Sequence, residues 1–323
     1  MTVRRALVTG GAGFIGSHVT EALASDGYEV TVLDDLSTGR RANLASGVRL
    51  EELDVRSTEA ARLVSAGAFD VVCHLAAQID VRKSVADPVA DASRNILGTL
   101  NLLEAARRAK IPPRFVFSST GGAVYGDFVD PPSDEQQPKD PESPYGIAKL
   151  ATEYYLAYYG RVHRMDVVAL RYANVYGPRQ DPHGEAGVVA IFCQRLLAGA
   201  ALTVFGDGRQ TRDYVFVGDV ARANSLAARG TLPEPGRLDD RAFNIGTGVP
   251  TSVVELAAAL QRAAGRTTTV EHAPARPGEQ QRSFVSVQKA ATLFGWTPQV
   301  ALEAGLSTTF DWFRTQGNAH AAS

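Results

Sequence analysis

Arg4-Arg5-Ala6-Leu7-Val8-Thr9-Gly10-Gly11-Ala12-Gly13-Phe14-Ile15-Gly16-Ser17 is the stretch whose reading decides the fold. A short apolar run, Ala6 to Val8, stops at Thr9. Glycines follow at Gly10, Gly13 and Gly16, and a helical pattern begins at Phe14. Strand, tight turn and helix N-terminus in that order suit a diphosphate: glycines let the chain turn sharply and let an anion approach the open N–H groups at the positive end of a helix. The spacing is G-x-x-G-x-x-G, not the commoner G-x-G-x-x-G. Alone, such a turn is also an ordinary βα connection, so the next strand matters. Tyr28-Glu29-Val30-Thr31-Val32-Leu33-Asp34 reads as that strand and ends in an acid eighteen residues past Gly16. A carboxylate there accepts hydrogen bonds from an adenosine ribose and repels a 2′-phosphate, which favours NAD over NADP.

Outward from this unit the chain alternates strand-like and helical runs, the pattern of βα units on a parallel sheet. Strands are expected at 48–55, 69–77, 114–118 and 166–171, and helices at 57–66, 88–110 and 143–162. The run from Phe69 to Ala77 is continuously apolar, as for a strand buried on both faces, and Ala76 and Ala77 at its end leave room for an adenine–ribose edge. Between Gly126 and Ser143 a loop rich in Pro, Asp and Glu reads as a flap over the site. Beyond 173 the alternation becomes irregular, with helices near 187–199, 218–230, 251–264 and 301–314; Arg241 to Gly246 reads as a strand returning to the large sheet. The expected fold is α/β: a doubly wound parallel sheet (an NAD-binding Rossmann domain, 1–173, with a later return near 217–247) and a smaller mixed α/β substrate lobe, mainly 174–323.

Composition narrows the partners. A chain of 323 residues with 45% hydrophobic and 21% charged residues holds a full core. A net charge of −2 without a dense Lys/Arg cluster argues against nucleic acid and membrane surfaces. Arg4-Arg5 is followed by too few apolar residues for a signal peptide or a membrane span. Two cysteines, Cys73 and Cys193, both in apolar surroundings, suit a reducing cytoplasm, and the six histidines show no metal-ligand spacing, so no metal is expected.

The chemistry gathers around two segments. Ser118-Ser119-Thr120-Gly121-Gly122-Ala123-Val124-Tyr125-Gly126 lies at the C-terminal end of the fifth strand, where open parallel sheets hold ligands. Ser143-Pro144-Tyr145-Gly146-Ile147-Ala148-Lys149 opens a helix and sets Tyr145 and Lys149 four apart on one face. A cation there favours a phenolate, which acts as a general base. Tyr154, Tyr155, Tyr158 and Tyr159 on the same helix read as packing or interface residues.

With these blocks on view, the chain resembles the extended short-chain dehydrogenase/reductase family, and within it the nucleotide-sugar 4-epimerases of the UDP-glucose/UDP-galactose type. Matching blocks run through nearly the whole chain: Thr9–Ser17, His74–Gln78, Ser84–Pro88, Asn95–Thr99, Tyr145–Lys149, Arg171–Asn174, Gly206–Gly208, Arg212–Tyr214 and Arg276–Glu279. The resemblance implies NAD retained through the cycle, with Tyr145 taking the proton of the sugar 4-hydroxyl, C4 giving up hydride, and a 4-keto sugar turning about its diphosphate link before reduction on its other face. Lys149 would hold the nicotinamide ribose. Cofactor contacts are implied at Gly10, Gly13, Phe14, Ile15, Gly16, Asp34, Asp35, Asp54, Val55, Leu75, Ala76, Ala77, Asn95, Ser118, Tyr145, Lys149 and Tyr172. Substrate contacts are implied at Thr120, Tyr145, Asn174, Val188, Phe205, Arg212, Arg276, Glu279 and Ser283. Asn174, Arg212 and Arg276 would meet the diphosphate, Phe205 the uracil and Glu279 the uridine ribose. A homodimer is implied as well, through the helices at about 88–110 and 145–162.

The chain departs from that pattern at Gly121-Gly122, where one residue is extra. Counting from the strand end makes Thr120 the partner of the sugar O4, with Ser119 as the second choice; counting back from Tyr125 lands on Gly121, which has no hydroxyl. Ala123-Val124 stand where 4,6-dehydratases of the family carry an Asp-Glu pair, and neither transfers a proton. UDP-glucuronate 4-epimerases or decarboxylases stay open as an alternative through Thr120, Ser119 and Arg179, and so does a non-catalytic NAD-binding regulator, though such proteins usually lose the tyrosine or the lysine. Ser283 falls where the family admits or excludes an N-acetyl group, and a serine leaves space for one.

Overall fold

The first unit forms as its sequence dictates: strand β1 (Arg4–Thr9), helix α1 (Phe14–Ser25) and strand β2 (Tyr28–Asp34). The computed structural model describes residues 3–127, 129–182, 187–276 and 280–321. There follow β3 (Arg49–Glu52), α2 (Thr58–Ala66), β4 (Val71–His74), α3 (Val81–Ala86), α4 (Pro88–Ala92), α5 (Gly98–Arg108), β5 (Arg114–Thr120), α6 (Pro144–His163) and β6 (Val167–Tyr172). The second half holds β7 (Asn174–Tyr176), α7 (Val188–Leu197), β8 (Leu202–Phe205), β9 (Thr211–Phe216), α8 (Val217–Arg229), β10 (Ala242–Ile245), β11 (Pro250–Ser252), α9 (Val253–Ala264), β12 (Val270–Ala273), β13 (Arg282–Ser283), α10 (Gln288–Phe294) and α11 (Leu302–Ala321).

Seven strands make one parallel sheet in the order β10-β6-β5-β4-β1-β2-β3. The order reverses at β1, the doubly wound arrangement, and so opens a crevice beyond the strand ends there. Alternate residues of β1 divide between two cores: Ala6 and Val8 pack with Val19 and Leu23 of α1, Leu7 with the layer of α2, α5 and α6. This is the signature of a sheet covered on both faces. A third core, built from α7, α9 and α11 around β8, lies in the second lobe.

Three differences from the sequence reading are informative. Strands β3 and β4 are shorter than expected, ending at Glu52 and His74, because the chain beyond leaves the sheet to line the crevice. The single helix expected over 88–110 is interrupted by a π turn at Ser93–Leu97. One extra residue in that turn rotates Asn95 inward, a device common at functional sites. Third, the segment expected to be a flap is anchored. Ser133 bridges to Val285, the Glu135 carboxylate accepts from Asn244 N–H at 2.8 Å, and Lys139 donates to Asp239 at 2.6 Å.

Candidate active site

The glycine turn is closed by backbone contact. Gly10 has φ +67°, and a Cβ there would lie 2.7 Å from the amide nitrogen of Ala76; a Cβ on Gly16 would lie 2.0 Å from Gly10 O. The start of α1 carries no side-chain cap at Gly13, so the N–H groups of its first turn, Phe14, Ile15 and Gly16, face the crevice. Asp34 is 5% exposed, and its oxygens accept from Ala12 N–H and Leu36 N–H, both at 2.9 Å. Burial pushes its carboxyl up, while those two donors pull it down. The turn, the open helix end and the acid fit a dinucleotide: a small-residue cradle for the diphosphate, and at Asp34 acceptor lone pairs beyond the two in use.

Leu75 and Ala76 carry on from β4, their N–H groups bonded to the backbone and hydroxyl oxygens of Thr9. Beneath them the proton positions follow from the donors. Thr99 spends its hydroxyl hydrogen on Asn95 O at 2.6 Å, so it accepts from His74 Nε2–H at 2.9 Å. His74 Nδ1 then accepts from the Thr9 hydroxyl at 2.6 Å. The imidazole is neutral, and burial, aided by the charge of Lys149, pushes it down to about 3. Between pH 6.5 and 3 the unfolded chain therefore binds one more proton at this site than the folded one. The contribution is complete above 6.5 and is lost as pH falls, at about 1.4 kcal/mol per pH unit. Urea unfolding across that range is expected to show a shallower pH slope for His74→Gln than for the parent; parallel slopes would refute the assignment.

Asn95 sits in the π turn, its amide donating to Gln78 O at 2.9 Å and its carbonyl accepting from Gln78 N–H at 2.8 Å. Other expected cofactor residues are tied locally. Asp35 accepts from Ser37 N–H at 3.0 Å, Asp54 is forked by Arg56, and Val55 faces Gly98 at the start of α5. Tyr172 is 5% exposed, and its hydroxyl is engaged by Ser118 and Asn224, both at 3.0 Å, so that hydroxyl is not turned to a cofactor.

At the end of β5, period-two alternation separates the two candidate hydroxyls. Ser119 points to α6 and donates to the buried Glu153 carboxylate. Thr120 lies on the other face with no hydrogen bond to its hydroxyl among the described residues. A Cβ on Gly122 would sit 3.8 Å from Thr120 Oγ1 and 3.7 Å from Asn174 Oδ1, so the glycine leaves open the space between them. The first turn of α6 packs on this loop, Gly146 against Ala123. Ser143 caps that helix by accepting Gly146 N–H at 3.2 Å. Tyr145 is partly exposed; Lys149 is 4% exposed, its Nζ 5.8 Å from the Tyr145 ring centroid and donating to Ser118 O at 2.8 Å. Burial pulls Lys149 down to about 8, against Asp91 and Glu153, which hold it up.

The second lobe brings Phe205 and Arg276 together, the guanidinium carbon 3.8 Å from the ring centroid. The ring face expected for uracil thus carries Arg276. Arg212 on β9 lies in register with Ser283 on β13, and Ser283 is 7% exposed. Val188 opens α7, half-buried against the lobe core. Glu279 lies outside the described residues. Arg179 turns toward α1, donating to Ser17 at 3.1 Å and Glu21 at 2.5 Å.

Sequence reasoning missed the polar layer behind the site. Arg171 is fully buried, forked to Glu153 at 2.6–3.1 Å and bonded to Tyr125 at 3.0 Å and Asp239 at 2.8 Å. A charged residue inside the apolar run Val167–Tyr172, facing a glutamate one turn past Lys149, was the available signal. Among the described residues no group of three or more His, Cys, Asp or Glu side chains is placed to hold a metal ion. No described helix is long and apolar enough to cross a membrane.

Residues 6–246 match the NAD dependent epimerase/dehydratase family. The UDP-glucose 4-epimerase of Mycolicibacterium smegmatis is 45% identical over 317 residues, covering 97% of this chain and 99% of that one. A solved UDP-glucose 4-epimerase from Thermotoga maritima with UDP-glucose is 46% identical with a TM-score of 0.91, covering 97% of this chain and 99% of that one. The Thermus thermophilus UDP-glucose 4-epimerase complexed with NAD is also 46% identical, with a TM-score of 0.88 and coverage of 96% and 99%.

Proposed function

Because the chain belongs to the NAD dependent epimerase/dehydratase family, we propose that it interconverts UDP-glucose and UDP-galactose by inverting C4. The observation that carries this reading is the pair at the head of α6: partly exposed Tyr145, with the buried Lys149 ammonium beside it and anchored to Ser118 O at the C-terminal end of the parallel sheet. Bound NAD would supply a hydride acceptor and donor at C4, leaving no net redox change. Gly10, Gly13, the first turn of α1 and Asp34 would hold it, in the domain formed by 1–173 with the return near 217–247. Residues 174–323 would hold most of the UDP-sugar.

Tyr145 takes the O4 proton as C4 loses hydride and returns it to O4 when C4 regains hydride on its other face; the Lys149 charge keeps the phenolate accessible near neutral pH. Thr120 donates to O4. Thr120→Val is expected to lower kcat by about 10²-fold, the scale for one donor at a developing oxyanion. Ser119→Ala, which removes only a bond to Glu153, is expected to lower stability by about 1 kcal/mol with kcat little changed. Equal kcat losses in steady-state assays would contradict this division of labour.

Ala123-Val124 offer no acid–base pair for dehydration. The glucuronate reading is weakened because Ser119 is committed to Glu153 and Arg179 to α1. A non-catalytic regulator would not need Tyr145 and Lys149 so arranged. Ser283 leaves room for an N-acetyl group, and Ser283→Tyr is expected to abolish turnover of UDP-GalNAc while sparing UDP-galactose; unchanged N-acetyl activity would count against this role.

Val85, Val89, Leu97, Ile147, Tyr154, Tyr155, Tyr158 and Val162 are exposed on α3–α6. They support a homodimer formed on this face, and buried free Cys73 and Cys193 support a cytoplasmic setting. The direct test is incubation of the purified protein, without added NAD, with UDP-galactose and observation of the anomeric protons by NMR. Conversion to a UDP-glucose-rich mixture is expected. No conversion, even with NAD added, would sink the proposal.

A further inference from the structure

Lys149 is an ammonium buried at 4% exposure, and its charge needs a compensating one. Its direct partners are a carbonyl, Ser118 O, and the face of Phe117 at 4.8 Å. Neither carries charge. Two buried carboxylates act on it. Glu153, one turn further along α6, is forked by Arg171, so its charge is largely cancelled. Asp91 is different. It is 1% exposed on α4, which packs against α6, and no cation pairs with it among the described residues. Its Oδ1 accepts two amide donors, Gln78 Nε2 and Asn95 Nδ2, both at 3.0 Å, and its buried Oδ2 has no hydrogen-bond partner among the described residues.

We propose that Asp91 is a positioning residue for the reaction: its buried carboxylate, held by two amides on the helix packed against α6, is the counter-charge of the Lys149 ammonium beside Tyr145.

The other groups around Lys149 do not substitute. His74 on β4 is neutral and adds no negative charge. Arg82 and Lys83 on α3 and Arg94 in the π turn are exposed. Glu104 and Arg107 on α5 pair with each other beside Tyr159, at the far end of α6. Asp91 leads the influences that oppose burial at Lys149, ahead of Glu153. Gln78 and Asn95 also explain why the π turn matters: it brings the Asn95 amide onto both Gln78 and Asp91 and so fixes the carboxylate.

The proposal rests on Tyr145 and Lys149 being the proton-transfer pair, and its test does not need turnover. The chain has only five lysines, at 83, 110, 139, 149 and 289. With 13Cε-labelled lysine in the protein as purified, the Lys149 signal, identified by its loss in Lys149→Met, is followed across pH. Asp91→Asn is expected to lower the Lys149 midpoint by about one pH unit, the usual effect of removing one nearby opposite charge. Asp91→Ser removes the charge without burying an amide donor and carries the same expectation, and Asp87→Asn, exposed on the same turn, is expected to leave the midpoint in place. A midpoint unchanged in both Asp91 variants would overturn the proposal. If the midpoint moves and the alkaline limb of the kcat profile moves with it, both readings hold. A moved midpoint with an unmoved rate profile would keep Asp91 as the counter-charge of Lys149 but discard both from the reaction.

Discussion

Tyr145→Phe is expected to lower kcat on UDP-galactose by about 10²–10⁴-fold, the span that a single positioned acid–base group contributes. The substitution keeps the ring and removes one oxygen, so the packing of Gly146 on Ala123 and the Ser143 cap stay as they are. Three measurements separate chemistry from folding: kcat, the NAD content of the purified protein, and the unfolding midpoint. Only the first is expected to change by more than about twofold. The contrast with Lys149→Met sharpens the assignment. That variant removes the charge that favours the phenolate and also the bond from Nζ to Ser118 O, so losses in both rate and retained NAD are expected. If Tyr145→Phe kept kcat within about tenfold of the parent, some other group would have to move the O4 proton, and the mechanism as assigned would fail.

What the sequence made legible was local. The strand–turn–helix at Thr9–Ser17 and the acid at Asp34 follow from glycine geometry and periodicity, and so does most of the parallel sheet, down to the late strand at Ala242–Ile245. The opposite orientation of Ser119 and Thr120 was also within reach. Alternation along a strand puts neighbours on opposite faces, but a strand read as 114–118 stops two residues short of Thr120, too early for the rule to reach both hydroxyls. The π turn was not legible, because one extra residue barely disturbs a period of 3.6 over twenty positions. The anchoring of 133–139 was hidden for another reason. Glu135 and Lys139 look like loop charges until Asn244 and Asp239, about a hundred residues later, are folded against them. Asp91 likewise reads as a first-turn helix acid; its burial depends on α4 lying against α6.

The polar layer behind the site sets up the second large expectation. Arg171→Met is expected to destabilise the protein by about 3–5 kcal/mol, the cost of leaving a buried partner charge uncompensated. Arg171 is 0% exposed and Glu153 2%, so no water reaches Glu153 to replace the lost guanidinium. Asp239 retains Lys139, and Tyr125 retains Asn244, which confines the damage to Glu153 and the Ser119 hydroxyl that donates to it. Removing both charges tests that reasoning. Arg171→Met with Glu153→Leu puts apolar volume where the ion pair was, and a double variant of this kind is expected to be more stable than Arg171→Met alone by about 2 kcal/mol or more. Urea unfolding of the parent, the two single variants and the double variant closes the cycle. Additive losses would mean that the two side chains act independently, and the fork joining β6 to α6 would then not be what holds Tyr145 and Lys149 over the end of β5. A large favourable coupling would mean that the pair acts as one unit fastening α6 to the sheet, with Ser119 drawn back by Glu153 and Thr120 on the opposite face of β5.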